Sequence, residues 1–238
     1  MAADTLNSSD HNIVELLNTF KGASERKRLS FLPILEQRVE ELIVLGSSVM
    51  SLFSSEDNDW AAGFLLQLIH KRDENFIKST LKCKDLSWFS SPSDVNFDYS
   101  FLQQALLSEK YEEADRLTSA KLRELAGQEA VNRGYVYFSE VASIPGIDLL
   151  TLNKLWIVYS QGKFGFTVQA KILDSVNGRY EKLWPRIGWK KDGVWTRYPK
   201  AFNWSIEAPD GHMPLVNQLR GVRLMDSLLN HQALIAKS

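Results

Sequence analysis

Apolar residues recur at three-and-four spacing along most of this chain, and that rhythm predicts helices. Ile13, Leu16, Leu17 and Phe20 share one face of a first helix, with Asp10 placed to cap it and Gly22 just past its end. Ser24 is placed to cap a second, Pro33 interrupts or restarts it, and Leu35, Val39, Leu42 and Leu45 carry the stripe on to Gly46. Asp59 opens a further helix that buries Phe64, Leu65, Leu68 and Ile69. The basic run Arg26, Lys27, Arg28 is followed by acidic positions and reads as a solvated helix face. A short polar, proline-bearing run, SSPSDVNFD at 90–98, then marks a domain boundary.

The rhythm resumes beyond it. Asp98 is placed to cap a helix with Phe101, Leu102, Ala105 and Leu106, and Ser108 one with Tyr111, Ala114, Leu117, Leu122 and Leu125 that stops at Gly127. LQQALLSEKYEEADRL has the look of one tetratricopeptide helix pair, but no second copy follows at the 34-residue period. Gly134 to Glu140 is the best strand-like run, with a short buried helix as the alternative. Asp148 is placed to cap a helix over 149–160 whose inner face is Leu152, Leu155, Trp156 and Tyr159, and another helix is predicted over 166–176. A last helix starts near Pro214. Helices dominate throughout, so the expected fold class is all-α: an N-terminal helical bundle, residues 1–90, followed by an all-helical core domain.

Between Trp184 and Arg223 the helical rhythm breaks. Four of the seven Trp fall here, with seven Lys and Arg against three Asp and Glu, and Pro185, Gly188, Gly193, Pro199, Pro209, Gly211 and Pro214 punctuate the run. A loop-built, ring-lined surface with local positive charge suits a flat apolar ligand bearing carboxylates. On the following helix Asn217, Arg220 and Arg223 share a side, so two guanidinium groups one turn apart are placed to grip two carboxylates. The plainer alternative pairs Arg223 with Asp226 and leaves Trp184, Trp189, Trp195 and Trp204 as core.

Composition narrows the function. Lys and Arg number 28 against 29 Asp and Glu, so no global field draws nucleic acid or anionic membrane, and no nucleic-acid partner is expected. Cys83 is the only cysteine, which excludes an internal disulfide and a multi-Cys zinc site. The start has neither a basic, apolar leader nor an Arg-rich transit character, and no stretch reaches the length of a membrane span, so a cytoplasmic protein is expected. The chain carries no Walker loop, no dinucleotide-binding glycine fingerprint, no HExxH and no nucleophile elbow. His11, His70 and His212 lack companions at metal-ligand spacing, and Glu112 and Glu113 beside Arg116 form an ordinary solvated helix face. The expectation is a binding protein, not an enzyme, with no metal site and no catalytic cofactor; an interaction adaptor and a single-stranded nucleic-acid binder are the alternatives.

From about Phe97 to Leu234 the chain resembles the genomes-uncoupled-four family. The phrases that carry the resemblance are YEEADRLT, KLRELAG, YFSEV, IDLLTLNKLW, GKFGFTVQ, KLWPRIGWK, VWTRYPKAFNW and GHMPLVNQLRGVR, in one order across some 135 residues. That resemblance implies a non-catalytic all-helical core, 97–234, with a concave apolar face that binds protoporphyrin IX and magnesium protoporphyrin IX. It implies stimulation of magnesium chelatase through its large porphyrin-binding subunit, in chlorophyll biosynthesis, and peripheral contact with thylakoid membranes. Carried over by position, Asn217, Arg220 and Arg223 match the end that meets propionates. Phe202, Trp204, Met213, Leu215 and Val216 match a mobile loop that closes over the macrocycle, and Tyr198 stands where close relatives carry Trp. His212 is a minor candidate for an axial ligand. A helical extension without a transit peptide is the cyanobacterial pattern.

Overall fold

The computed structural model describes residues 12–83, 85–215 and 222–236. Helix α1 (Ile13–Gly22) is capped by Asn12, whose side chain accepts from the Val14 N–H at 3.0 Å. Asp10, the residue expected to cap it, lies outside the described residues. Helix α2 (Glu25–Gln37) runs through Pro33 instead of stopping there. The carbonyl that Pro33 leaves unpaired belongs to Leu29, which is half exposed, so water can take the missing bond. Arg28 leaves the solvated face predicted for it. Its guanidinium pairs with both oxygens of Asp59, at 2.6 and 3.1 Å, and lies over the rings of Phe20 and Trp60. Arg26 and Lys27 remain exposed.

After α3 (Val39–Leu45) and a 3₁₀ helix (Gly46–Leu52) comes α4 (Trp60–Arg72), capped by Asp59 as predicted. This helix is buried on nearly every side, and the reason is its place in the packing: it lies against α3, α6 (Ser100–Leu107) and α9 (Gly146–Val158). At Gly63 the approach to α9 is so close that a Cβ would sit 1.8 Å from the carbonyl oxygen of Val158. Gln67, one turn on, donates to the carbonyls of Leu106 and Tyr159 at 2.8 and 2.9 Å, satisfying two C-terminal acceptors that the helices cannot satisfy themselves. A short α5 (Phe76–Ser79) follows. One continuous apolar core therefore runs from the N-terminal helices into the second half of the chain.

The polar run at 90–98 is held down by Asp148. Fully buried, its carboxylate accepts from the Ser93 hydroxyl, the Asp94 N–H at 2.9 Å and the Tyr99 hydroxyl at 2.7 Å. Asp148 therefore tethers that run and does not cap the helix, which begins at Gly146 with Pro145 before it. Nor does Ser108 cap α7 (Tyr111–Ala126), which starts after Lys110. Trp156 of α9 donates to Thr118 of α7 at 2.9 Å and its ring packs on Tyr111 and Phe164. Helix α8 (Gln128–Arg133) ends at Gly134 in the left-handed region. The strand-like run beyond it forms no strand: only its last three residues enter a 3₁₀ helix (Phe138–Ser143), which is mostly exposed where a buried helix was the alternative, and which opens with Glu140 accepting from the Tyr137 N–H at 2.7 Å.

Helices α10 (Phe166–Ser175) and α11 (Tyr180–Arg186) lead into a hairpin that the sequence reading missed, β1 (Lys190–Lys191) and β2 (Val194–Trp195). Asp192 and Gly193, with φ of 51° and 80°, make its turn. Helices α12 (Val222–Leu229) and α13 (Gln232–Ile235) close the chain, α12 against the 3₁₀ helix 138–143 and α10, α13 against α9. Among the described residues no helix is long and apolar enough to cross a membrane.

The α4–α9 crossing tolerates no side chain at Gly63. Gly63→Ala is expected to cost about 3 kcal/mol in urea unfolding through overpacking, whereas Gly22→Ala, with open space around it, is expected to be neutral. Equal stability of the two variants would contradict the packing described.

Candidate functional site

A cavity of about 710 Å³ opens between α7, the segment 134–144, the residues after β2 and α12. Its walls are largely apolar: Leu122 from α7, Val136, Val141 and Ile144 from the segment that follows α8, Leu224 and Leu228 from α12, and Leu215. Rings of Tyr135, Trp195 and Tyr198 complete the lining. Helix α7 builds one wall because its two sides differ. Tyr111, Ala114 and Thr118 face the core, and Arg116, Ser119 and Arg123, at steps of three and four, face the cavity.

The aromatic stretch divides between core and cavity. Trp184 and Trp189 are buried and stacked, centroids 5.6 Å apart and planes 7° off parallel, with the Trp189 N–H donating to the His212 carbonyl at 2.8 Å. Trp195 leans on Trp184 at 5.4 Å and turns its remaining surface to the cavity. Trp204 stacks on Phe202 at 5.5 Å and meets Tyr198 edge-on, so of these three only Tyr198 reaches the cavity. The hydrogen bonds that pin the segment 202–215 explain the arrangement. Gly211 N–H donates to Lys163, Gly165 N–H to Met213, and the Gln169 amide to both Gly211 and Pro214. Gly211 sits at φ 73°, and a Cβ there would meet Ile172 at 2.8 Å.

Of the residues singled out from the sequence, Tyr198 and Leu215 line the cavity, while Phe202, Trp204 and Met213 lie behind the lining. Val216, Asn217 and Arg220 lie outside the described residues. Arg223 is exposed, with its guanidinium 5.4 Å from the ring centre of Phe138 and not in the lining. The Arg223–Asp226 pair does not form; Asp226 accepts from the Tyr180 hydroxyl at 3.0 Å. His212 is buried against Phe202, away from the cavity, its Nδ1 paired with the Ile187 carbonyl at 2.6 Å, and burial lowers its pKa. Arg116, read from sequence as part of a solvated face, stands at the cavity rim.

Asp115 was not singled out, since an acidic residue one step from Arg116 on a charged helix carries no signal of burial. It is 1% exposed, and its carboxylate accepts from the Leu215 N–H at 2.6 Å across 100 residues of chain. Burial pushes the carboxyl up to about 7, the Leu215 N–H works in the opposite direction, and Glu112 adds a smaller upward push. Burial, Asp115 and Glu112 also raise the Tyr198 hydroxyl, with Arg116 acting against them, which places Tyr198 near this part of α7.

A family model described as GUN4-like matches residues 92–232. The chain belongs to the GUN4-like family. It is 40% identical over 223 residues to a Ycf53-like protein of Synechocystis sp., covering 92% of this chain and 95% of the relative. It is 35% identical over 144 residues to the chloroplastic tetrapyrrole-binding protein of Arabidopsis thaliana, covering 57% and 54%. Among solved structures, GUN4 of Chlamydomonas reinhardtii superposes with a TM-score of 0.58 at 36% identity, over 61% of this chain and 93% of that one. Ligand-free GUN4 of Arabidopsis thaliana gives 0.54 at 35%, over 60% and 98%. The cavity lies within the GUN4-like span, which starts shortly before α6 and includes both α7 and α12.

An unfolded Asp115 loses its proton near pH 4, as aspartates ordinarily do, whereas the folded chain holds it to about 7. The stability this contributes is present in full below about pH 4 and is lost as pH rises through about 7. Asp115→Asn is expected to gain roughly 1–3 kcal/mol relative to wild type between about pH 5 and 8 in urea unfolding. Parallel pH profiles would contradict the buried carboxyl.

Proposed function

We propose that this chain binds protoporphyrin IX and magnesium protoporphyrin IX in the cavity between α7 and α12, with no catalysis of its own. The observation that carries the reading is an apolar, ring-lined space of about 710 Å³ with guanidinium groups along its lining, inside the GUN4-like span. A porphyrin is flat, apolar and edged on one side by two carboxylates, and pockets for such ligands combine apolar walls with a few placed polar groups. The name of the Arabidopsis relative, a tetrapyrrole-binding protein, supports the ligand class.

In this reading Tyr198 and Leu215 contact the macrocycle, Phe202, Trp204 and Met213 support the segment that carries them, and Val216 adds to that edge. Asn217, Arg220 and Arg223 meet the propionates. The loaded core, residues 97–234, then docks on the large porphyrin-binding subunit of magnesium chelatase and activates it in chlorophyll biosynthesis, with residues 1–90 as a helical extension. The setting is the cytoplasm, with peripheral contact at thylakoid membranes.

Tryptophan fluorescence reports directly on such a ligand, since Trp195 lines the cavity and lies against Trp184. Titration with a soluble protoporphyrin analogue and its magnesium form is expected to quench saturably. In an Arg220→Ala, Arg223→Ala double variant the affinity is expected to fall about tenfold or more. Unchanged affinity in the variant would reject the two arginines and keep the ligand. No saturable quenching of the wild type would overturn porphyrin binding in favour of an interaction adaptor.

A further inference from the structure

Among the described residues, three guanidinium groups of the cavity lining form no ion pair with a carboxylate. Arg116 and Arg123 stand two turns apart on the cavity-facing stripe of α7, with Ser119 between them, and Arg197 comes from the residues after β2. Among the described residues, Arg28 pairs with Asp59, Arg38 with Glu41, Arg72 with Glu40 and Arg133 with Glu140. Arg116, Arg123 and Arg197 take part in none of the side-chain hydrogen bonds or ion pairs that the described residues make. The acidic group on the same lining, Asp115, is buried and engaged with the Leu215 N–H.

Guanidinium groups at an open cavity rim keep their water until a ligand covers them, and a ligand that displaces this water must supply an anion in its place. Seven residues of helix rise about 10 Å, so Arg116 and Arg123 are spaced to serve two separate carboxylates and not two oxygens of one. A planar guanidinium fork binds a carboxylate through two parallel hydrogen bonds, which an ester cannot accept with the same strength.

We propose that Arg116 and Arg123, with Arg197, form a carboxylate-recognising rim that makes the cavity selective for dicarboxylate tetrapyrroles over their esterified or uncharged counterparts. This rests on the reading of the cavity as a tetrapyrrole site, and it assigns the acidic edge of the ligand to α7. The Asp115 carboxyl, buried and engaged with the Leu215 N–H, offers a ligand carboxylate no cationic partner, so the inner wall is left to the apolar edge.

The test compares deuteroporphyrin IX with its dimethyl ester, added from the same solvent stock, by fluorescence quenching of wild type and of Arg116→Gln, Arg123→Gln and Arg197→Gln variants. Arg116 and Arg197 are exposed, and a thermal melt of each variant checks folding. Wild type is expected to prefer the diacid by about 10- to 100-fold. The Arg116→Gln, Arg123→Gln double variant is expected to lose most of that preference while its affinity for the diester stays unchanged, and Arg197→Gln to lose part of it. A double variant that keeps the full preference overturns the rim, as does a wild type that binds both ligands equally; either result leaves the tetrapyrrole reading in place. A wild type that binds neither ligand overturns the tetrapyrrole reading and the rim together.

Discussion

The fold depends on helix α9 being enclosed along most of its surface. Leu149, Leu152, Leu155, Trp156 and Val158 are all fully buried, so the helix must be enclosed by other elements or not form at all. On one side α4 closes in to the limit that a glycine allows, Gly63 against the Val158 carbonyl. On another, the Trp156 N–H reaches Thr118 and locks α7 in place. The enclosure explains why the N-terminal helices share a core with the remainder of the chain despite the polar run at 90–98, and why Asp148 is spent on anchoring that run.

Rigidity on the α9 side of α7 permits an open cavity on its far side. The cavity holds features that cost stability when taken alone, a buried carboxyl held partly protonated near neutral pH and half-exposed rings. Such departures from good packing gather where a ligand can relieve them. Behind them the stacked Trp184 and Trp189 and the hydrogen bonds made with Lys163, Gly165 and Gln169 hold the segment 202–215, so the cavity wall they support is built on fixed elements.

Much of the helical order was legible in the sequence because amphipathic spacing is local information: the apolar faces of α1 and α7 stand largely where the rhythm placed them, whereas α4 is buried nearly all round and Phe101, expected on the inner face of α6, is exposed. What side chains do at helix ends was less legible. Asp148 has the composition of a cap and acts as a tether, since a carboxylate accepts whichever N–H or O–H the tertiary fold brings to it. Arg28 left its solvated face because Asp59, 31 residues away, waits beside two aromatic rings. The Asp192–Gly193 turn was readable in principle, as Asp-Gly is a strong hairpin signal, but two-residue strands leave no alternation to detect. For the site, the density of aromatic and basic residues pointed to the right end of the chain and missed α7, whose Arg116, Ser119 and Arg123 stripe resembles any solvated face until α12 and the hairpin are set across from it. The ligand class came from resemblance and not from periodicity or charge.

The central claim is that the cavity between α7 and α12 is the tetrapyrrole site, and filling it is the most direct challenge. Ser119 is half-buried in the cavity-facing stripe of α7, so Ser119→Trp adds bulk to the cavity with little disturbance of the core. Calorimetric titration with magnesium protoporphyrin IX is expected to give about one ligand per wild-type chain and an affinity at least about tenfold weaker in a folded Ser119→Trp protein. Unchanged affinity and stoichiometry in that variant would place the ligand elsewhere and contradict the account.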